Sequence, residues 1–186
     1  MKLFGDHDKT GVVSALTVFA PIVPGHEEAV REVIEGLPRG EASPLARLSQ
    51  LHCSRLQIFD RLVHQGGGQK PDSLLSSWLV FTSSYDGELD AYLDAICDEI
   101  PTEADSWWSH CVGYPGTSDR AGFRRYVRSH HRRTDLFAAA YPPATVGDVR
   151  EALALRGRLL DFVVDTQGLD AAALQQRFVA EFAGAR

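Results

Sequence analysis

Hydrophobic and polar positions follow two different spacings along the chain, and the order of these spacings predicts its elements. Short apolar runs bounded by proline, glycine or aspartate are typical of β-strands, and they lie at residues 15–22, 51–62, 78–85 and 136–141. Apolar residues three and four apart predict helices instead. These helical patterns cover residues 26–37, 89–100, 119–130, 145–164 and 170–182.

Residues at the ends of the helical patterns support these boundaries. Asp86 is a natural N-cap for the second helix, and Pro101 is expected to end it. The pair Thr145 and Asp148 has the spacing of a capping box at the start of the long helix, which Gly168 breaks. The predicted order of elements is therefore β-α-β-β-α-α-β-α-α.

This order predicts an α+β fold with a ferredoxin-like βαββαβ sheet, antiparallel and four-stranded, with helices on one face. We expect one domain over residues 1–186, with its core at about 15–145 and C-terminal helices at 145–184. The strands do not alternate cleanly, so both sheet faces should be buried, although helices cover only one. A homodimer is therefore expected, in which two sheets close into a dimeric α/β barrel around a cavity.

Composition and net charge indicate which partners and which cellular location are expected. The net charge of −6 argues against general nucleic-acid binding and against adsorption to anionic membranes. No apolar run approaches the roughly 20 residues of a membrane span, and no secretory signal is recognised at the start of the chain. Three cysteines without a CxxC spacing fit reduced thiols, so a cytoplasmic protein is expected.

Three segments resemble a known group of proteins: LHCSR at 51–55, SSYDG at 83–87 and HCVGYP at 110–115. They resemble bacterial ferredoxin-like domains associated with haem peroxidase and catalase-type proteins, over about residues 15–150. The resemblance implies the dimeric α/β-barrel superfamily, which includes antibiotic-biosynthesis monooxygenases, haem-degrading enzymes, chlorite dismutases and dye-decolourising peroxidases. It therefore implies small-molecule or haem chemistry in a barrel cavity without selecting one activity.

His130 is the first candidate for a functional residue. It lies at i+7 from Phe123 on the apolar stripe of the third helix, so its imidazole is expected to point inward. It is either a core histidine with one hydrogen-bond partner or a general base or axial ligand of haem iron. The neighbouring His131 lies about 100° around the helix and is expected at the solvent.

A second candidate group surrounds His110. Trp107 and Trp108 precede it closely and would form a flat apolar wall for an aromatic or porphyrin ligand, with Tyr141 lining the same pocket. Core packing of the two tryptophans is the alternative. In the haem interpretation, either His130 or His110 ligates the iron.

His52 and Arg55 form the third candidate group. They are three residues apart on a strand and should face opposite sides of the sheet unless a bulge intervenes. His52 would be the base of a cofactor-independent monooxygenase or isomerase. Arg55 would hold a charged substituent or, if buried, pair with Asp86 or Asp90.

Two further patterns bear on binding chemistry. Six arginines between residues 120 and 133 are either a solvated helix face or an anion site for a carboxylate or haem propionates. The sequence His-Cys occurs twice, but no spacing supplies a complete zinc ligand set. No GxGxxG, P-loop or GxSxG motif is present.

The functional expectation is a small-molecule oxidative enzyme, haem-dependent or cofactor-independent, that acts on a hydrophobic or aromatic molecule in the barrel cavity. The alternative is a non-enzymatic module that binds a small ligand or a protein. In that alternative, the helices from residue 145 onward form the partner surface.

Overall fold

The structure is a computed structural model that describes residues 6–63, 66–68, 70 and 74–184. The chain divides into two compact units, Met1–Val146 and Gly147–Arg186. The strands are β1 (Lys9–Thr10), β2 (Val13–Pro21), β3 (Leu51–Phe59) and β4 (Trp78–Asp86). The α-helices are α1 (Glu27–Gly36), α2 (Leu89–Glu99), α3 (Pro101–Trp108), α4 (Arg120–His130), α5 (Val146–Asp165) and α6 (Ala171–Phe182).

The first unit is an α+β structure built on one antiparallel sheet with the strand order β1-β2-β4-β3. In β2, Leu16, Val18 and Ala20 are buried, and Leu79 and Phe81 are buried in β4. These side chains alternate along each strand, so they share one face of the sheet. The same hydrophobic cluster contains residues from all four helices α1–α4. Helices therefore cover one face, and we call the other the open face.

Three of the four predicted long strands are confirmed, with boundaries within three residues. The strand predicted at 136–141 is wrong, because these residues form no strand. The edge of β2 is instead paired with β1, and a single bridge joins Val18 to His131. This edge is already occupied, and the Phe137 carbonyl accepts a hydrogen bond from the Thr10 hydroxyl (2.9 Å) rather than joining a ladder.

The five predicted helices are confirmed, but two signals at their ends were misinterpreted. Pro101 does not stop the chain from being helical, because it starts α3 at a position where a missing N–H costs nothing. Asp86 is not the N-cap of α2; Glu88 occupies that position without a capping side-chain bond. Asp119 does cap α4, since its carboxylate accepts from the Gly122 N–H at 2.8 Å.

Helices α2 and α4 are joined by a ladder of three ion pairs: Asp90–Arg128, Asp94–Arg124 and Asp98–Arg120. The partners recur every four residues in opposite directions, which is the pattern of two antiparallel helices in contact. Three of the six clustered arginines are therefore paired within the protein, and an anion would compete with these carboxylates for them.

Asp105 of α3 holds the segment between α3 and α4 in place. Its carboxylate accepts hydrogen bonds from the Thr117 N–H (2.9 Å), the Thr117 hydroxyl (3.0 Å) and the Tyr114 hydroxyl (2.7 Å). Burial raises the pKa of Tyr114, and its bond to Asp105 raises this pKa further. The segment that carries His110 is thus held by several polar contacts.

The second unit is a helical hairpin of α5 and α6 that turns at Gly168, whose φ is 87°. Phe162 is buried against Phe178 and Phe182, with ring centroids 5.8 and 5.4 Å away. The Arg158 guanidinium lies over the Phe182 ring. Among the described residues, no helix is both long and apolar enough to cross a membrane.

The ion-pair ladder yields a stability prediction. Asp94→Asn and Arg124→Met, combined in a double-mutant cycle, should show a small favourable coupling, because the pair is only partly exposed and bidentate. High salt should reduce this coupling by screening. Urea unfolding measures it, with Arg125→Met as the control from the exposed side of α4. Equal coupling of Asp94 to Arg125 would contradict the ladder.

Candidate functional site

A β-bulge in β3 positions the candidate site. Leu51 pairs with Tyr85 and Cys53 with the next residue, Ser84, so His52 is an extra residue in the strand. The core-facing positions shift accordingly from the odd-numbered Leu51 to the even-numbered Leu56. His52 and Arg55 were expected on opposite sides of the sheet unless a bulge intervened. Because the bulge is present, both lie on the open face.

His52 uses its position in the bulge to reach a carboxylate on the open face. Its Nε2 lies 2.7 Å from Asp86 Oδ1, and the Val146 N–H donates to the other carboxylate oxygen at 2.7 Å. Asp86 is in alternation with Thr82 and Ser84 on β4, which places all three on this face. A carboxylate at Nε2 favours the tautomer with hydrogen on Nε2, leaving a lone pair on Nδ1. Such a lone pair can accept a proton from a ligand.

A cavity of about 300 Å³ lies on the same face, next to this pair. The three strands contribute hydroxyls and a thiol to it, and the segment after α4 supplies its outer wall. The polar lining includes Thr17, Cys53, Arg55, Thr82, Ser84 and Thr134. Phe137 adds an apolar surface. Most of the lining residues therefore have polar side chains, and apolar surface lies between them, whereas the sequence predicted a hydrophobic cavity.

Arg55 is the cation of this cavity. Its side chain is exposed, and within the described ranges no carboxylate lies at ion-pair distance from it. The suggested partners are engaged elsewhere, because Asp86 contacts His52 and Asp90 contacts Arg128. A guanidinium among hydroxyl groups is suited to bind a carboxylate or another planar anion through two hydrogen bonds.

The opposite end of the open face is aromatic. Phe19 of β2 and Phe59 of β3 have ring centroids 6.5 Å apart, and Phe59 pairs with Trp78 of β4. Phe59 is 40% exposed. We call Phe19, Phe59 and Trp78 the aromatic rim. The open face thus has a polar end with an imidazole and a guanidinium, and an apolar end.

The structure places His130 and His131 in different environments at the end of α4. His130 is half-buried, with its ring 4.3 Å from that of Tyr126 and its Nδ1 2.9 Å from the Tyr126 carbonyl oxygen. The expectation of a solvent-facing His131 is wrong: its side chain is 4% exposed and lies 3.3 Å from Asp8. Helix α4 ends at His130, so His131 adopts an extended backbone and the helical 100° rotation does not apply to it.

The other predicted site residues are not brought together. Trp107 and Trp108 are 0% and 1% exposed, and Trp108 packs on Phe81 and Phe123 in the core. Tyr141, in contrast, is 74% exposed. A ligand would have to displace core side chains to reach the indoles. His110 is half-buried and its Nδ1 lies 3.2 Å from that of His26.

The residues of the described cavities do not fit a haem. Neither predicted haem ligand, His130 or His110, lines the cavity on the open face or a second cavity of about 230 Å³ beside Asp90 and Arg128. Haem needs an axial ligand and a largely apolar slot, whereas charged and hydroxyl side chains line both of these cavities. We therefore derive no chemical step through haem.

The three cysteines are free thiols in contrasting environments. Cys53 is exposed on β3, whereas Cys97 and Cys111 are buried. Burial raises the pKa of Cys97 to about 11 and that of Cys111 to about 12. Only Cys53 combines access with a position in the cavity.

Sequence reasoning missed two residues that the structure brings into contact with predicted ones. Asp86 was expected to cap a helix or to pair with Arg55 rather than to contact His52, and His26 was not considered. For Asp86 a signal existed, because the core-facing apolar positions of the second strand change from odd to even between Leu51 and Leu56. For His26 no local signal existed, since its partner lies 84 residues away.

Comparisons of the chain with protein-family models, with curated proteins and with solved structures found no match.

The thiol environments yield a reactivity prediction. At pH 8, iodoacetamide should modify Cys53 at least about tenfold faster than Cys97 or Cys111, because the buried thiols stay protonated and shielded. Peptide mapping by mass spectrometry measures the three rates. Cys53→Ser should remove the fast phase and leave the other two rates unchanged. Equally fast reaction of Cys111 in the folded protein would show that its burial is wrong.

Proposed function

We propose that the protein is a small-molecule enzyme that binds an organic anion on the open face and removes a proton from it. The observation that carries this proposal is the contact of His52 with Asp86 on the same face as the unpaired Arg55. It corresponds to the cofactor-independent branch of the sequence-based expectation, a monooxygenase or an isomerase.

In this proposal His52 is the general base and Asp86 its positioning residue. The Nδ1 lone pair accepts a proton from a carbon next to a carbonyl group, and the C–H electron pair moves onto the carbonyl oxygen. Asp86 stabilises the imidazolium that forms, and it stays in place because its second oxygen accepts the Val146 N–H. A carbanion formed in this way is the first intermediate of an isomerisation or of a reaction with dioxygen.

Arg55 has the complementary role of holding the anion. Its guanidinium binds the substrate carboxylate or the developing enolate oxygen, and the hydroxyls of Thr17 and Thr82 offer further hydrogen bonds. The aromatic rim then contacts the apolar part of the substrate. The substrate class is therefore a small carbonyl-containing carboxylate with an apolar or aromatic portion.

We extend the proposal to the fold and assembly. The order β2-β4-β3 with helices on one face is that of three strands of a ferredoxin-like sheet, and β1 takes the edge of the fourth. Two copies would pack through their aromatic rims to form a dimeric α/β barrel. An exposed phenylalanine on a sheet face supports this assembly, because burying it against a second copy removes apolar surface from water.

A protein-interaction module is the second candidate, and one observation favours it. Leu153, Leu160 and Val164 of α5 are all more than half exposed and recur at intervals of seven and four residues. This spacing places them along one side of the helix. In this candidate, α5 binds a partner protein and the open face performs no chemistry.

Catalysis is tested with a panel of small keto acids, including phenylpyruvate, in D2O. Proton NMR should show that the protein accelerates exchange of carbon-bound hydrogen for at least one of them. His52→Ala should lower this rate by about 100-fold or more, since it removes the base. Asp86→Asn should lower kcat by about tenfold or more, because an amide nitrogen facing Nε2 favours the wrong imidazole tautomer.

Arg55→Met should raise KM by about tenfold or more, because it removes a charged partner of the substrate carboxylate. Arg61→Met is the matched control, since Arg61 is a highly exposed arginine just beyond β3. If no keto acid exchanges, or if His52→Ala exchanges as fast as the wild type, the proposed enzyme is wrong.

The assembly is tested by light scattering at micromolar concentration, where a dimer is expected. Phe59→Asp should yield a monomer, because it puts a charge into the aromatic rim. Val112→Asp changes an exposed hydrophobic residue outside the strands and should remain dimeric. A monomeric wild type contradicts the barrel. A dimer that Leu160→Asp dissociates and Phe59→Asp does not would favour the α5 surface instead.

A further inference from the structure

Two imidazoles that the proposed function does not use converge at the surface of the first unit. His26 begins helix α1, and His110 follows α3, yet their Nδ1 atoms lie 3.2 Å apart. We infer that this pair is a binding site for a borderline divalent transition metal, Cu²⁺, Ni²⁺ or Zn²⁺. The inference stands on residues other than those of the catalytic proposal.

Backbone hydrogen bonds hold the two histidines in place. Ile22 and Cys111 form an isolated β-bridge, and the Val23 N–H donates to the His110 carbonyl oxygen at 2.9 Å. The His26 N–H in turn donates to the Val23 carbonyl oxygen at 2.9 Å. The backbones of both histidines are therefore tied to the segment after β2, so only side-chain freedom is lost when a metal binds.

The separation of the two nitrogens matches a shared metal ion. Zinc–imidazole bonds of about 2.0–2.1 Å at a tetrahedral angle place the two nitrogens about 3.3 Å apart. The rings meet nearly edge to face, with an interplanar angle of 69° and centroids 5.3 Å apart. Without metal, one Nδ1–H donates to the other Nδ1, and that hydrogen bond keeps the two ring nitrogens close together.

The surroundings indicate a site with open coordination positions. Across the described part of the chain, no three His, Cys, Asp or Glu side chains form a metal-binding group. Glu27, the adjacent carboxylate, already accepts from the Gly25 N–H (2.9 Å) and the Ser77 hydroxyl (3.1 Å). Water therefore completes the coordination shell. His26 is exposed and His110 half-buried, so both water and ions have access.

Charge and ligand type select the metal. Glu27 and Glu28 in the first turn of α1 offset the positive helix end that would otherwise repel a cation. Imidazole nitrogens suit copper, nickel and zinc rather than magnesium or calcium, and the order of affinity should place Cu²⁺ first. The site is expected to bind more weakly than a four-ligand structural zinc site, because it contributes only two protein ligands.

The experiment uses the full chain without a purification tag, titrated with Cu²⁺ and Zn²⁺ salts by calorimetry. One ion per chain is expected, with Cu²⁺ bound more tightly. His26→Ala and His110→Ala should each weaken binding by about tenfold or more. His7→Asn, at an exposed histidine in the N-terminal turn, is the matched control and should leave the affinity unchanged. Thermal melts establish that each variant is folded.

Measurements on the wild-type protein test the site even if the variants fail to fold. The electron paramagnetic resonance spectrum of bound Cu²⁺ should show two imidazole nitrogen ligands. Bound Zn²⁺ should protect both His26 and His110 from modification by diethyl pyrocarbonate. If the His26→Ala/His110→Ala double variant retains the wild-type affinity, the site is wrong. It is equally wrong if the spectrum shows one nitrogen, or if Zn²⁺ leaves both histidines fully reactive.

Discussion

One extra residue in β3 determines what the open face of this protein presents. Without the bulge at His52, strand alternation would turn its imidazole toward the helices, away from Arg55. With the bulge, His52 reaches Asp86 at 2.7 Å while Leu51 and Leu56 both keep their places against the core. The hydrophobic core and the polar site therefore depend on the same local irregularity. Bulges frequently adjust a side chain beside an active site in this way.

The rest of the first unit keeps that strand in place. The helix-facing side of the sheet packs against a continuous aromatic and aliphatic core, in which Trp107 and Trp108 are almost completely buried. Aspartates organise the surroundings: one ladder joins α2 to α4, Asp105 holds the segment after α3, and Asp8 accepts the Thr134 N–H at 2.7 Å. The sheet below the cavity is therefore supported from its helix-covered side, and the bond from Thr134 to Asp8 holds the beginning of the segment that forms the outer wall.

The sequence predicts the elements well and the site only in part, for a physical reason. Helices and strands follow from periodicity, because burial of one face imposes a spacing of 3.6 or 2 residues. The apolar run from Leu136 to Tyr141 forms no strand, because the neighbouring edge of the sheet is already paired. A segment that passes over a sheet can have the same apolar composition as a strand. His52 was identified as a candidate base, but its partner Asp86 depends on a shift of register. The pairing of His26 with His110 depends entirely on tertiary structure.

The central claim is that the bulge directs His52 Nε2 at Asp86 on the open face, and the imidazole tautomer tests it most directly. Long-range proton–nitrogen NMR correlations of selectively labelled histidine, assigned through His52→Gln, report which ring nitrogen carries the hydrogen above the range in which histidine is protonated. The account predicts a single Nε2–H tautomer for His52, with Nδ1 unprotonated. A His52 spectrum with hydrogen on Nδ1, or one averaged like that of a free histidine, would contradict it.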